Sequence, residues 1–242
     1  MVDLLNESLN GRTVIVMGVG PGQGMSTVRM FLNFGAKVAI VNRSGSSFGL
    51  TESDNIKVYK CDATDEAAVI RLKKEILDDF GVINSVVSNT GIWEPVTGTF
   101  GSLHELERNF KVNVEAHVIA INVFSETMKE EGGTIVLVGA SRLIYKGNTL
   151  PYSVSKSSVE ELTRIAAEKL RQYNIRVNAV APGSVLGEDT YFNVFPFSYP
   201  RLAERIVVEP IEVAMTTVFL SSNMSSGIDG QCITVDRGLN AI

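Results

Sequence analysis

The chain has 242 residues, 45% of them hydrophobic and 20% charged, with a formal net charge of −5. That length supports one substantial core, and the balance is globular rather than disordered. The acidic excess offers no broad positive field for nucleic acid or anionic lipid.

Cys61 and Cys232 are the two cysteines, and they stand far apart. They read as small buried residues in a reducing compartment, not as a disulfide framework. With two histidines, His104 and His117, beside them, no dedicated zinc site is expected. The opening MVDLLNESLNGR lacks the basic and long apolar regions of a signal peptide, and no apolar run reaches bilayer length. The expectation is a cytoplasmic protein.

In chain order, TVIVMGV (13–19) is an apolar, β-branched run of strand length, followed by a glycine cluster. From Gly24, MSTVRMFLNF suits a helix stopped by Gly35. AKVAIVNR (36–43) and IKVYKCD (56–62) read as a second and third strand. DEAAVIRLKKEILDDFG (65–81) has acids at its start, helical apolar spacing and a closing glycine. SVVSNTG (85–91), TIVLVGAS (134–141), IRVNAVAPG (175–183) and QCITVDRG (231–238) supply four more strands. Helices are expected near 112–131, 152–173 and 209–222. Nearly continuous apolar strands alternating with helices predict one α/β domain. Its doubly wound, Rossmann-type parallel sheet has about seven strands and helices on both faces. The segment 184–208 is unusually aromatic for a loop and is expected to act as a substrate lid or, equally, to pack against a neighbouring subunit.

The first strand runs straight into Gly18-Val19-Gly20-Pro21-Gly22-Gln23-Gly24 and then a helix. A phosphate there would meet free backbone N–H groups and the positive helix end, and glycine lets the backbone approach it. The second strand ends in Asn42-Arg43-Ser44 rather than in the acid that would bind the ribose hydroxyl of NAD. Arg43 carries a permanent charge on a planar fork matched to a 2′-phosphate, with Ser44 as an extra donor. NADP(H) is therefore favoured, and NAD(H) stays possible.

Tyr152-Ser153-Val154-Ser155-Lys156 places Tyr and Lys four apart, on one helix face. Together with the Gly18, Gly22 and Gly24 spacing, it resembles the short-chain dehydrogenase/reductase family and its 3-oxoacyl-acyl-carrier-protein reductase-like branch. The likeness spans essentially the whole chain. It places Asp62 and Ala63 against the adenine ring and likens Ser88-Asn89-Thr90-Gly91 to the family's Asn-Asn-Ala-Gly, with two substitutions. It likens Lys111-Val112-Asn113-Val114 to the segment bearing the catalytic Asn. Pro182-Gly183-Ser184-Val185 matches the turn that meets the nicotinamide, and Gly230 through Asp236 the final strand. Met17 stands for a usual Thr, and Gln23 for a usual Ile or Leu. The family's serine position falls on Gly139 or Ala140, depending on the alignment. Ser141 is the available hydroxyl.

The resemblance implies an NAD(P)-dependent enzyme that interconverts a ketone and a secondary alcohol. A free phenol, with a pKa of about 10, is a feeble shuttle at neutral pH; a nearby ammonium lowers that pKa. Tyr152 is thus the expected acid/base and Lys156 its tuner and ribose anchor. Asn113 is the expected proton relay and Ser141 the oxyanion donor. The cofactor set is completed by Asn89, Gly91, Pro182, Gly183 and Val185. Family members pair through the two long helices, so a homodimer or homotetramer is expected. Two rivals remain: a nucleotide-binding regulatory protein with weak turnover, favoured by the displaced serine, and a cofactor-free lyase on the same fold. Lys156 and the intact glycine turn speak against the lyase.

Overall fold

The computed structural model describes residues 2–145, 149–187 and 207–239. The expected lid aromatics Tyr191, Phe192, Phe195, Phe197 and Tyr199 lie outside the described residues. The helix α1 (Val2–Leu9) leads into β1 (Thr13–Met17), α2 (Gln23–Asn33), β2 (Lys37–Asn42), β3 (Ile56–Lys60), α3 (Glu66–Phe80) and β4 (Ser85–Ser88). Then come α4 (Leu103–Phe110), a π-helical turn (Lys111–Glu115), α5 (Ala116–Met128), β5 (Gly133–Val138), the short α6 (Arg142–Tyr145) and α7 (Leu150–Leu170). The strand β6 (Ile175–Pro182), α8 (Pro210–Ser221) and β7 (Cys232–Val235) complete the described chain.

The seven strands form one sheet in the order β3-β2-β1-β4-β5-β6-β7. Every pairing is parallel, with Ile15 opposite both Ala39 and Val86. All five residues of β1 are buried, which explains its unbroken apolar run. Alternate side chains serve opposite cores. Ile15, Ala39 and Leu137 pack with Val69, Phe124 and Val159 of α3, α5 and α7. Val14, Val38 and Val136 pack with Phe31 of α2 and Val218 of α8. Strand order reverses between β1 and β4, and ligands of such sheets bind outside the carboxyl ends at that reversal.

Local chemistry sets the helix ends. Asp65 caps α3 by accepting from the Ala68 N–H, and Gly81 closes it with φ 79°. Glu209 and Glu212 form a reciprocal cap at α8, with Pro210 in its first turn. The helix expected over 112–131 is corrected: α4 starts at Leu103, behind a Ser102–Glu105 capping box, and a π-helical turn separates it from α5. The extra residue in that turn re-aims side chains, and such bulges favour functional sites. Neither α1 nor α4 was among the expected helices.

Candidate active site

Two segments flank the reversal crevice, the turn after β1 and the turn after β4, and they lock together. Gly18 has φ 74°, and a Cβ there would lie 2.9 Å from backbone atoms of Asn89 and Thr90. Any side chain would force the turns apart. The Asn89 Nδ2 donates to the Gly18 carbonyl at 2.9 Å, and Gln23 Nε2 donates to Asn89 Oδ1 at 2.7 Å. Gly22 is the N-cap of α2 and offers no side-chain acceptor, and no acid stands in the first turn, which contains Gly24. The positive end of α2 is thus left for an external anion, so the residues present fit a dinucleotide phosphate.

A cavity of about 200 Å³ lies at one side of the crevice, bordered by Gly18, Asn42, Arg43, Asp62, Ala63 and Gly91. The Asp62 carboxylate accepts from the Thr64 N–H at 2.9 Å and the Thr64 hydroxyl at 2.8 Å. The Thr64 N–H chiefly holds its pKa below the usual range, and Arg43 and Lys111 add to this. Asn42 is spent on its own loop: Nδ2 donates to the Ser46 carbonyl, while Oδ1 accepts from the Ser44 hydroxyl and the Ser46 N–H. Ser44 therefore braces the loop rather than presenting a free proton. Arg43 borders the same cavity and is exposed.

The larger cavity, about 610 Å³, lies over the ends of β4, β5 and β6. Tyr152 and Lys156 both border it, as do Gln23, Asn89, Pro182 and Gly183. Ser184 and Val185 continue that wall, and Gly91 borders both cavities. Lys156 Nζ donates to the carbonyls of Val138 at 2.9 Å and Thr90 at 3.3 Å. Only Gly91 permits this, since a Cβ there would meet Nζ at 2.8 Å. Burial pushes the Lys156 ammonium down to about 8 and raises the Tyr152 phenol. Asn113 sits in the π-helical turn, fully buried. Its Oδ1 accepts from the Ile92 N–H at 2.7 Å, and its Nδ2 donates to the Ile92 carbonyl and Ser155 Oγ. It clamps the strand-end loop to α7 and does not border the large cavity.

Ser141, the expected oxyanion donor, is not among the residues bordering the larger cavity. Its hydroxyl is buried and donates to Asp236 Oδ2 at 2.6 Å, across the end of β7. It borders a separate space of about 210 Å³. Gly139 and Ala140 form the cavity wall instead. Arg142, the first residue of α6, is exposed and 3.4 Å from Glu160.

Sequence reasoning missed Ile92, Trp93 and Ile144 on the cavity wall. It also missed His117, buried behind Lys156. The position of His117 four residues after Asn113 was the available signal. Among the described residues no cluster of potential metal ligands occurs, and no helix is long and apolar enough to cross a membrane.

A doubly wound sheet of this strand order, with a glycine turn at its reversal, is the nucleotide-binding class of α/β protein. Comparison with known proteins narrows the class. Residues 18–240 match the family described as Enoyl-(Acyl carrier protein) reductase. Short-chain dehydrogenase reductase 3c of Arabidopsis thaliana is 30% identical, over 97% of this chain and 96% of its own. The 3-beta-hydroxysteroid dehydrogenase of Comamonas testosteroni is 27% identical, over 97% of this chain and 98% of its own. The aldohexose dehydrogenase of Thermoplasma acidophilum superposes with a TM-score of 0.80 at 25% identity, covering 97% of this chain and 96% of that one. The chain belongs to the short-chain dehydrogenase/reductase family and is an NAD(P)-dependent oxidoreductase.

Proposed function

We propose that the protein interconverts a ketone and a secondary alcohol with NADP(H), using Tyr152 as acid/base. The observation that carries this reading is the placement of Tyr152 and Lys156 on one cavity with Asn89 and Gly183, at the carboxyl edge of the sheet. A bound nicotinamide nucleotide supplies or accepts the hydride. The Tyr152 Oη gives a proton to the carbonyl oxygen as it becomes an alkoxide, or takes it back in oxidation. Burial opposes both the tyrosinate and the ammonium, and their mutual attraction favours the charged pair. Lys156 therefore keeps Tyr152 poised and anchors the ribose. Asn113 holds the π-helical turn against Ile92 and Ser155, so that relay through it starts from a fixed amide. Gly18, Gly22, Gln23 and Gly24 would hold the diphosphate, and Asp62 with Ala63 the adenine.

Arg43 beside an acid-free strand end supports NADP(H) over NAD(H). Ile92, Trp93 and Ile144 give the substrate end an apolar wall. Relatives named for a 3-beta-hydroxysteroid and an aldohexose support a ring-borne secondary alcohol as the substrate class. Assembly as a homodimer or homotetramer through α5 and α7 belongs to the same proposal. Val154 and Ile165 stand 42% and 38% exposed on α7, as a partner-facing surface would leave them. Sedimentation velocity reads that directly.

A second reading is a nucleotide-binding protein of weak turnover, favoured by the bond of Ser141 to Asp236. Fluorescence titration with NADPH and NADH, followed by a ketone screen of the wild type and Tyr152→Phe, separates the two. Tight NADPH binding with turnover abolished in Tyr152→Phe supports the reductase. Tight binding without turnover on any ketone establishes the second reading. Equal turnover in Tyr152→Phe removes that residue from the chemistry.

A further inference from the structure

Two substitutions separate Ser88-Asn89-Thr90-Gly91 from the family's Asn-Asn-Ala-Gly. Ser88 meets a histidine that the reaction leaves unused, and Thr90 connects to it through Ser88. His117 lies one helical turn after Asn113 on α5, so the two side chains face the strand ends together. It is fully buried, as is Ser88, and Thr90 is 7% exposed. The His117 Nδ1 lies 2.7 Å from Ser88 Oγ, which lies 3.4 Å from Thr90 Oγ1. The Thr90 carbonyl and the Val138 carbonyl are the two acceptors that hold Lys156 Nζ. His117 Nε2 makes no hydrogen bond, though the Val138 carbonyl stands near enough to favour a proton on it. Burial, and then the Lys156 charge, keep the imidazole neutral, with its pKa pushed down to about 3.

We propose that His117, Ser88 and Thr90 form a positioning device for Lys156, fixing the carbonyls that hold the ammonium and thereby its place relative to Tyr152. A lysine ammonium rides on a flexible four-carbon stem and settles wherever carbonyls converge. Here one carbonyl belongs to Thr90, whose side chain is tethered through Ser88 to the imidazole. The other, that of Val138, lies beside the same ring. A neutral imidazole braces the Thr90 side through Ser88 and stands beside the Val138 carbonyl without repelling the charge that it helps to place.

The other groups around Lys156 leave this arrangement undisturbed. Tyr152 stands on the same helix, and Asn113 faces in from the π-helical turn, bonded to Ser155. From β7 comes Cys232, a thiol that burial raises to about 11, and from just beyond it Asp236, bonded to Ser141. Arg142 and Glu160 pair with each other beside the 210 Å³ space that Ser141 borders.

The purpose of the placed charge rests on the reductase reading, so the test reads Tyr152 without turnover. Tyrosinate absorbance is titrated against pH in the whole protein, and the same titration in a Tyr152→Phe background is subtracted to isolate Tyr152. The variants are His117→Phe, Ser88→Ala and His117→Gln, the last an amide able both to accept from Ser88 and to donate toward Val138. In His117→Phe and Ser88→Ala the midpoint is expected to rise by about half a pH unit or more as the ammonium drifts. His117→Gln is expected to restore it. Midpoints matching the wild type in both of the first two variants overturn the proposal. If His117→Phe fails to fold, Ser88→Ala alone decides. Shifted midpoints in a protein that reduces no ketone would sink the reductase reading and leave the positioning device standing.

Discussion

Ser141 and Arg43 are single side chains whose roles divide at bond length. Ser141 spends its proton on the buried carboxylate of Asp236. Ser141→Ala is therefore expected to cost about 1–3 kcal/mol of stability, the penalty of leaving a buried acceptor without that donor. Turnover per folded molecule should stay unchanged. Chemical denaturation beside steady-state kinetics checks both, and a tenfold fall in kcat at constant KM would return Ser141 to the reacting centre. Arg43 stands at the lip of the smaller cavity, exposed and close enough to Asp62 to help depress its pKa. Arg43→Leu should weaken NADPH about tenfold or more, roughly 1.4 kcal/mol, while NADH changes little. Identical losses for both nucleotides would mean that Arg43 does not read the phosphate.

The β1–α2 turn and the π-helical turn are the two elements on which the site depends. Gly18→Ala meets both a left-handed backbone and a Cβ contact of 2.9 Å with the turn after β4. A strain of order 1–3 kcal/mol is expected, and NADPH and NADH should weaken together, unlike the selective loss in Arg43→Leu. Nucleotide titration of the two variants side by side makes that comparison. The π-helical turn was hidden in the sequence, because KVNVE reads as ordinary helix. Its cause is tertiary: the Asn113 amide closes two hydrogen bonds on Ile92, 21 residues away. By contrast the Ser102–Glu105 capping box of α4 is a local signal that the sequence carries openly.

For the molecule as a whole, His117 couples the site to acid stability. Its folded pKa, about 3 against the ordinary 6.5, is depressed first by burial and then by Lys156. As pH falls from 6.5 the unfolded chain takes up this proton before the folded one does. The stability present above pH 6.5 is thus lost between about 6.5 and 3, at up to ~1.4 kcal/mol per pH unit. His117→Phe should flatten that limb of a denaturation series taken from pH 7 to pH 4. An unchanged slope would show that His117 contributes no acid sensitivity.

The sequence by itself determined the alternation of buried strands and helices, and hence the parallel sheet. Those features follow from periodicity and from glycine at turns, which neighbours in the chain decide. The pairing of Tyr152 with Lys156 was legible for the same reason, since four residues make one helical turn. The tertiary structure alone decided which hydroxyl faces the cavity. Asp236, 95 residues downstream, claims Ser141, a contact that no local pattern encodes. It alone gathered Ser88, Thr90 and His117 behind Lys156, because their contacts cross from β4 to α5 and no local pattern encodes that packing.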